Sequence, residues 1–203
     1  IFAGYVAKRM GLPIARLLLA TNENNILARF INDGDYSLSA VVPTVSPSMD
    51  IQLASNFERY VYYLFGEDPA RVREAFATLP ARGRIVFSDA EMVHVRTEFL
   101  ASSVNQQETV DTIASFNRET GYLLDPHTAV GVRAARQLVT DGTPVICLAT
   151  AHPAKFADAV VRAVGFEPPR PQSLMGIEDL PSRCEVLDAR IEQIRTFIEE
   201  KAR

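Results

Sequence analysis

The three histidines and three lysines are the side chains best suited to acid–base or ligand chemistry. His94, His127 and His152 lie far apart and form neither an H-x-x-x-H pair nor a cluster with cysteine, so their spacing predicts no metal site. The stretch 147-CLATAHPAKF-156 places a histidine and Lys155 behind an apolar run. The sequence has no G-x-S-x-G elbow, no G-x-G-x-x-G loop and no Walker lysine motif. Thr150 and His152 are too close in sequence for a simple nucleophile–base dyad to be assumed.

Polar residues at the ends of predicted strands offer a different kind of site. In an open parallel sheet, ligands bind beyond the carboxyl ends of the strands. Four places qualify: Thr150 after 144-PVICLA-149, Thr21 and Asn22 after 17-LLLA-20, the loop 43-PTVSPSMD-50, and the helix start at 125-DPH-127. If the strands are neighbours, these places converge on one polar rim. The alternative is that threonine, asparagine and aspartate only cap helices there, which requires no ligand.

The elements that would position this rim alternate between strand and helix. A helix over residues 1–10 precedes the first strand, and Asn22 caps the helix that follows it, which ends at 33-DGD-35. The predicted strands are 17-LLLAT-21, 40-AVV-42, 84-RIVF-87 and, as the clearest buried strand, 144-PVICLA-149. This order predicts an α/β fold with a parallel sheet.

Capping signals predict where the other helices begin. Three sites pair a serine or asparagine with a glutamate three residues later: 55-SNFE-58, Ser88 with Glu91, and Asn105 with Glu108. Two further sites place aspartate at the N-cap and proline at the first helical position: Asp68-Pro69 and Asp125-Pro126. A last helix of this region starts at Pro153 and ends at Gly165.

A change in composition predicts two parts of the chain. The segment 166-FEPPRPQSL-174 is a proline-rich linker, and 180–200 form an amphipathic helix with Leu187, Ile191, Ile194 and Ile198 on one face. We therefore predict an α/β region over 1–165 and a tail over 166–203.

Composition excludes several classes of partner. The net charge of −4 and the lack of a basic stripe argue against nucleic acid, and no apolar run is long enough to span a bilayer. The two cysteines, Cys147 and Cys184, form neither a disulfide framework nor a zinc motif, which favours a reducing, cytoplasmic setting.

Six motifs along nearly the whole chain resemble the threonine synthase family. They are 2-FAGYVAKRMGLPI-14, 20-ATNENNIL-27, 46-SPSMDI-51, 55-SNFERYVYYL-64, 123-LLDPHTAVG-131 and 149-ATAHPAKF-156. These enzymes have the tryptophan-synthase-β-like fold, or fold type II, and use pyridoxal 5'-phosphate. The resemblance implies a parallel-sheet, three-layer core with additional helices. It also implies conversion of O-phospho-L-homoserine and water to L-threonine and phosphate.

The resemblance implies that part of the site precedes Ile1. In the family, a GNFGD loop that cradles the cofactor phosphate lies directly before the segment matching 1-IFAGY-5, and the Schiff-base lysine lies further upstream. Lys8, Lys155 and Lys201 fall in no segment that matches the lysine motif. Because the sequence also opens in a helical pattern without an N-cap, we expect it to be a C-terminal piece of a longer enzyme, inactive alone.

The resemblance also implies roles for residues of this chain. Thr150 occupies the place where fold type II enzymes present a hydroxyl to the pyridine nitrogen, and Asp125 the place of a carboxylate near the ring. Ser46, Ser48, Asn56, His152 and Lys155 are the candidates for binding the substrate, whose phosphate needs donors. Each has a plain structural alternative as a cap, loop or surface residue.

Two other functions remain open. One is a different fold type II lyase, such as an amino-acid ammonia-lyase, although 55-SNFER-59 and 149-ATAHPAKF-156 disfavour it. The other is a non-catalytic homologue that acts through protein contacts. We expect a small-molecule substrate and a monomer or homodimer.

Overall fold

A computed structural model describes residues 2–201 of the chain. Ile1, in the predicted first helix, lies outside the described residues. The helices are α1 (Phe2–Arg9), α2 (Ile26–Asp33), α3 (Ser55–Leu64), α4 (Pro69–Arg82), α5 (Asp89–Glu98), α6 (Gln106–Thr120), α7 (Pro126–Leu138), α8 (Ala157–Val164) and α9 (Ile191–Lys201). The strands are β1 (Leu17–Thr21), β2 (Tyr36–Ser37), β3 (Arg84–Ile85) and β4 (Phe99–Ser103). Short 3₁₀ turns cover Pro47–Met49, Pro153–Phe156, Gln172–Leu174 and Ile177–Asp179.

A parallel pair, β1 with β4, lies between two layers of helices. Its register places Leu17 opposite Phe99. Leu19 on one face belongs to a core cluster with the buried residues of α2 and α3. Leu18 on the other face packs against a cluster that includes Val130 of α7. Alternate residues of the strand thus contact opposite helical layers, which gives the α/β, three-layer arrangement expected from the sequence.

An aromatic cluster fills the core on the α2 side of the sheet. Phe57 of α3 is fully buried, and its ring stacks on that of Tyr36 with centroids 4.6 Å apart. The ring of Phe30 meets Phe57 almost edge-on at 4.8 Å. Burial raises the pKa of Tyr36 to about 12, so this hydroxyl is uncharged at neutral pH. These contacts join α2, α3 and β2.

Four of the predicted helix starts are confirmed. The boxes Ser88–Glu91 and Asn105–Glu108 form in both directions. The carboxylates of Asp68 and Asp125 accept amide hydrogens at the starts of α4 and α7. Such caps involve partners only two or three residues apart, so the local sequence suffices to specify them.

Two other predicted caps are wrong. Ser55 is already inside α3, whose N-cap is Ala54, and the first turn closes through the Ala54 carbonyl without a side-chain bond. The N-cap of α2 is Asn25, not Asn22. The Asn22 side chain instead bonds to the loop at 43–50, which no local pattern reveals.

The strand predictions were correct only in part. The strand at 17–21 and a shortened one at Arg84–Ile85 are confirmed. The segments 40–42 and 144–149 pair with no strand among residues 2–201, and Ile146 is 88% exposed. Apolar composition marks a segment that can be buried, but a strand also needs a hydrogen-bonding neighbour.

The helix predicted from Pro153 has two parts. The 3₁₀ turn Pro153–Phe156 leads into α8, and Gly165 ends that helix with a positive φ of 80°. Glycine suits this left-handed position because it has no Cβ to clash.

The chain divides between Pro169 and Arg170 into a larger and a smaller unit. The smaller unit contains α9, which begins at Ile191, so the amphipathic helix is shorter than the predicted 180–200. The domain boundary predicted at 165/166 stays a prediction. None of the helices within residues 2–201 is long and apolar enough to cross a membrane.

Replacing Asn105 with alanine should lower the free energy of unfolding by about 1 kcal/mol, because α6 loses its capping box. Ser55→Ala is the matched control, since Ser55 makes no capping bond, and its effect should stay within about 0.5 kcal/mol. Urea unfolding of both variants measures the difference. An equal loss for the two variants would contradict the assignment of the cap.

Candidate functional site

The loop at residues 43–50, which we call the serine loop, is tied to the carboxyl end of β1. Asn22 Nδ2 lies 2.7 Å from Asp50 Oδ1 and 2.8 Å from Thr44 Oγ1. Asn24 Nδ2 also donates to Asp50 Oδ1, at 3.0 Å. The Thr44 amide donates to Asp50 Oδ2 at 2.8 Å. Several donors thus satisfy the Asp50 carboxylate and hold the loop in one conformation.

The two serines of this loop have different surroundings. Ser46 is 1% exposed, and its hydroxyl lies 3.0 Å from Asn22 Nδ2 and 3.2 Å from Thr44 Oγ1. Ser48 is exposed. Of the two predicted substrate residues, therefore, Ser48 is the one whose hydroxyl faces solvent, and Ser46 is part of the support of the loop.

Asp125, at the N-cap of α7, is buried and surrounded by donors. Its Oδ1 accepts from the His127 amide at 2.9 Å and lies 2.9 Å from His127 Nδ1. Its Oδ2 accepts from the Thr128 hydroxyl. Only 1% of Asp125 is exposed, so both oxygens are occupied within the protein.

His127 connects Asp125 to the serine loop. The Ser48 amide donates to His127 Nε2 at 3.1 Å. Because a backbone amide can only donate, Nε2 carries no proton, and the ring proton lies on Nδ1, where it is donated to Asp125. The imidazole packs on the Phe156 ring with centroids 4.4 Å apart. Sequence reasoning treated His127 as an ordinary histidine, and its only local signal was its place two residues after the N-cap.

Thr150 meets the start of α7 through Thr128. The Thr150 amide donates to Thr128 Oγ1 at 3.0 Å, and the two hydroxyl oxygens are 3.3 Å apart. Since Thr128 donates its own hydroxyl proton to Asp125, it acts only as an acceptor toward Thr150. A separation of 3.3 Å is long for a hydroxyl–hydroxyl bond, so the exposed Thr150 hydroxyl has a proton to donate elsewhere.

The known proteins that resemble this chain are threonine synthases. A family model described as "Threonine synthase, C-terminal" matches residues 128–198. Threonine synthases from Methylobacillus glycogenes and Pseudomonas aeruginosa are 43% and 40% identical, each over 98% of this chain. The crystal structure of a PLP-bound threonine synthase from Brucella melitensis, 44% identical, superposes with a TM-score of 0.88 over 98% of this chain. Over nearly its whole length, the chain is therefore similar to threonine synthases.

These similarities confirm the resemblance to threonine synthases drawn from the six motifs, and with it the fold type II class. The chain spans 43% of the length of the Pseudomonas and Methylobacillus enzymes, and also 43% of the Brucella chain.

The other residues predicted for a threonine synthase site lie at the surface. His152 is exposed and uses Nδ1 to accept from the Ala154 amide at 3.1 Å. Lys155 is exposed, with Nζ 5.6 Å from the centroid of Phe156, the ring that also contacts His127. Asn56 is exposed near the start of α3, and among the described residues no hydrogen bond joins it to the other candidates.

Geometry therefore connects four of the predicted places. Thr150, Asp125, the serine loop and the end of β1 form one hydrogen-bonded system. They meet although the predicted strand before Thr150, at 144–149, pairs with no strand among residues 2–201. A groove in the smaller unit, between 185–188 and α9, contains none of the candidates. The hydrogen bonds, rather than this groove, define the site.

Proposed function

We propose that this chain forms the C-terminal part of a threonine synthase. The enzyme would convert O-phospho-L-homoserine and water to L-threonine and phosphate, with pyridoxal 5'-phosphate as cofactor. The observation that carries the proposal is the exposed Thr150 beside the Asp125 network, whose hydroxyl makes only a long, 3.3 Å contact with the Thr128 hydroxyl among the described residues. The motifs and the 98% coverage by threonine synthases support the choice of reaction.

Thr150 suits the nitrogen of a pyridine ring. The cofactor, when bound, supplies an electron sink for the substrate carbanion. A neutral hydroxyl donates one hydrogen bond to the ring nitrogen without stabilising a full positive charge there. Asp125 lies behind Thr128 with both oxygens occupied, so its carboxylate does not compete for this position.

Exposed donors suit the phosphate of the substrate, and we propose Ser48, Asn56, His152 and Lys155 for this role. Ser48 and Asn56 offer neutral donors, and Lys155 offers a charged donor, whose hydrogen bonds to phosphate are strong. Ser46 contributes through the serine loop, since its hydroxyl is buried among Asn22 and Thr44.

We also propose a cytoplasmic enzyme of amino-acid biosynthesis, either monomeric or homodimeric. Both cysteines, Cys147 and Cys184, are free and exposed, which suits a reducing compartment. The net charge of −4 supports a small-molecule substrate rather than nucleic acid.

The complete reading frame that contains this chain should release phosphate from O-phospho-L-homoserine and form L-threonine. The control assay offers L-threonine as substrate and measures ammonia, because an ammonia-lyase is the second candidate of the same fold type. Ammonia release without phosphate release would replace the proposal by a lyase of that kind. No turnover of either substrate would favour a non-catalytic homologue.

The chain of 203 residues alone should form no stable covalent adduct with pyridoxal 5'-phosphate. Its three lysines all lie outside the segments expected to supply the bonding amine. Borohydride reduction followed by peptide mass spectrometry locates any adduct, and Lys155→Arg serves as the control. Stoichiometric modification of Lys155 would contradict the prediction and return that lysine to the catalytic candidates.

A further inference from the structure

The Asp125 carboxylate bonds to two different parts of the site through its two oxygens. Oδ1 lies 2.9 Å from His127 Nδ1, and Oδ2 accepts from the Thr128 hydroxyl. An N-cap requires only one oxygen that accepts from amides in the first turn, and asparagine or serine serves equally well. The second oxygen and the histidine bond therefore go beyond capping.

We call the hydrogen bonds that start from each Asp125 oxygen an arm. The Oδ1 arm ends at the serine loop. The Nδ1 proton of His127 is directed at Asp125, which leaves Nε2 as an acceptor for the Ser48 amide at 3.1 Å. His127 is 8% exposed, and contact with Phe156 holds its ring in place. A buried acceptor with a fixed tautomer gives the Ser48 backbone one position relative to α7.

The Oδ2 arm ends at Thr150. The proton of the Thr128 hydroxyl is committed to Asp125, so the Thr128 oxygen accepts from the Thr150 amide at 3.0 Å. The Thr150 hydroxyl oxygen lies 3.3 Å from the same Thr128 oxygen, a long contact from which the hydroxyl can turn to donate to a ligand. Replacing the carboxylate oxygen by a donor would force the Thr128 hydroxyl to turn and would weaken this arrangement.

We propose that Asp125 is a positioning residue that sets both sides of the site at once. Through His127 it places the serine loop on the substrate side, and through Thr128 it places Thr150 on the cofactor side. The assignment of one side to the substrate and the other to the cofactor rests on the proposed function. The two arms themselves do not depend on it. Asp125 acts through His127 and Thr128, because both of its oxygens bond within the protein.

Three variants separate the arms in the complete enzyme. His127→Phe removes the acceptor for Ser48 together with the Nδ1 donor to Asp125, and keeps a ring against Phe156. Thr128→Val removes only the hydroxyl and keeps the side-chain shape. Asp125→Asn keeps the cap but places an amide nitrogen where one carboxylate oxygen was. The hydrogen bonds of one arm then meet a second donor. The other arm keeps an oxygen acceptor, but this acceptor is no longer charged.

Hydrogen–deuterium exchange at single-residue resolution measures the amides of Ser48 and Thr150. We expect His127→Phe to speed exchange at Ser48 roughly tenfold and leave Thr150 unchanged, and Thr128→Val to do the reverse. Asp125→Asn should speed exchange at both amides. Unchanged exchange at both amides in a folded Asp125→Asn variant would reduce Asp125 to a plain cap and overturn the proposal.

A failure of Asp125→Asn to fold would leave the decision to the two single-arm variants. Separate effects at Ser48 and Thr150 would support two arms, and any other pattern would overturn them. Steady-state kinetics give an independent reading: His127→Phe should mainly raise KM for O-phospho-L-homoserine, whereas Thr128→Val should mainly lower kcat. If the enzyme does not turn over this substrate, the proposed function fails, while the exchange data still decide whether Asp125 couples the two arms.

Discussion

Thr150→Ala should lower the turnover of O-phospho-L-homoserine by the complete enzyme by roughly 10²-fold, which is about the contribution of a single well-placed donor in an active site. The variant removes a hydroxyl that makes only a long, 3.3 Å contact with Thr128 Oγ1 among the described residues. The absorbance of the bound cofactor should shift as well, because the ring nitrogen loses its hydrogen-bonding partner. Rate measurements and spectra of the purified enzyme test both expectations.

Thr150→Ser and Thr140→Ala are the matched controls for this effect. Serine keeps the donor and should retain most of the turnover. Thr140 is an exposed threonine just after α7, and its replacement should change neither rate nor spectrum. If Thr150→Ala kept both the turnover and the cofactor spectrum of the parent enzyme, Thr150 would not be the partner of the ring.

Phe57→Ala should lower the free energy of unfolding of the chain by about 3–5 kcal/mol. Phe57 is fully buried, and its ring contacts those of Tyr36 and Phe30, with centroids 4.6 and 4.8 Å away. Truncation would remove apolar contacts and leave a cavity between α2 and α3. The expected loss is a large share of the roughly 5–15 kcal/mol typical of a folded domain.

Urea unfolding followed by circular dichroism measures the effect of Phe57→Ala. Val93→Ala is the control, because Val93 lies on α5 and is 62% exposed, and its effect should stay within about 0.5 kcal/mol. Phe57→Leu should fall between the two. A loss below about 1 kcal/mol for Phe57→Ala would contradict the packing described for this core.

Helix starts were predicted well where the capping partners are sequence neighbours. Asn105 with Glu108 and Ser88 with Glu91 form the expected boxes. The same pattern failed at Ser55, where burial of Phe57 accompanies a helix that starts one residue earlier. A local motif states which bond can form, and tertiary packing decides whether the chain uses it.

Strands were harder to predict, because their partners are distant in sequence. The strand β4 pairs with β1 across about eighty residues and follows α5 without an intervening turn signal, and sequence analysis missed it. The apolar run 144–149 was the clearest predicted strand, yet it has no strand partner within residues 2–201. Hydrophobic composition carries no information on pairing.

The sequence predicted which places could form the candidate site, but not the hydrogen bonds that connect them. Thr150, Asp125 and the serine loop were recognised as places that could meet, and bonds through Thr128 and His127 do bring them together. Neither Thr128 nor His127 was a candidate. Their importance follows from contacts across 22 and 79 residues, which spacing along the chain does not reveal.

The sequence by itself determined the resemblance to threonine synthases, the α/β class and the helix caps at Asp68, Ser88, Asn105 and Asp125. These properties depend on motifs and on bonds between near neighbours. Only the tertiary structure decided which strand pairs with β1, which serine of the serine loop is buried, and where the protons of Thr128 and His127 point. These depend on which distant donors and acceptors meet when the core packs, because most buried polar groups then find a partner.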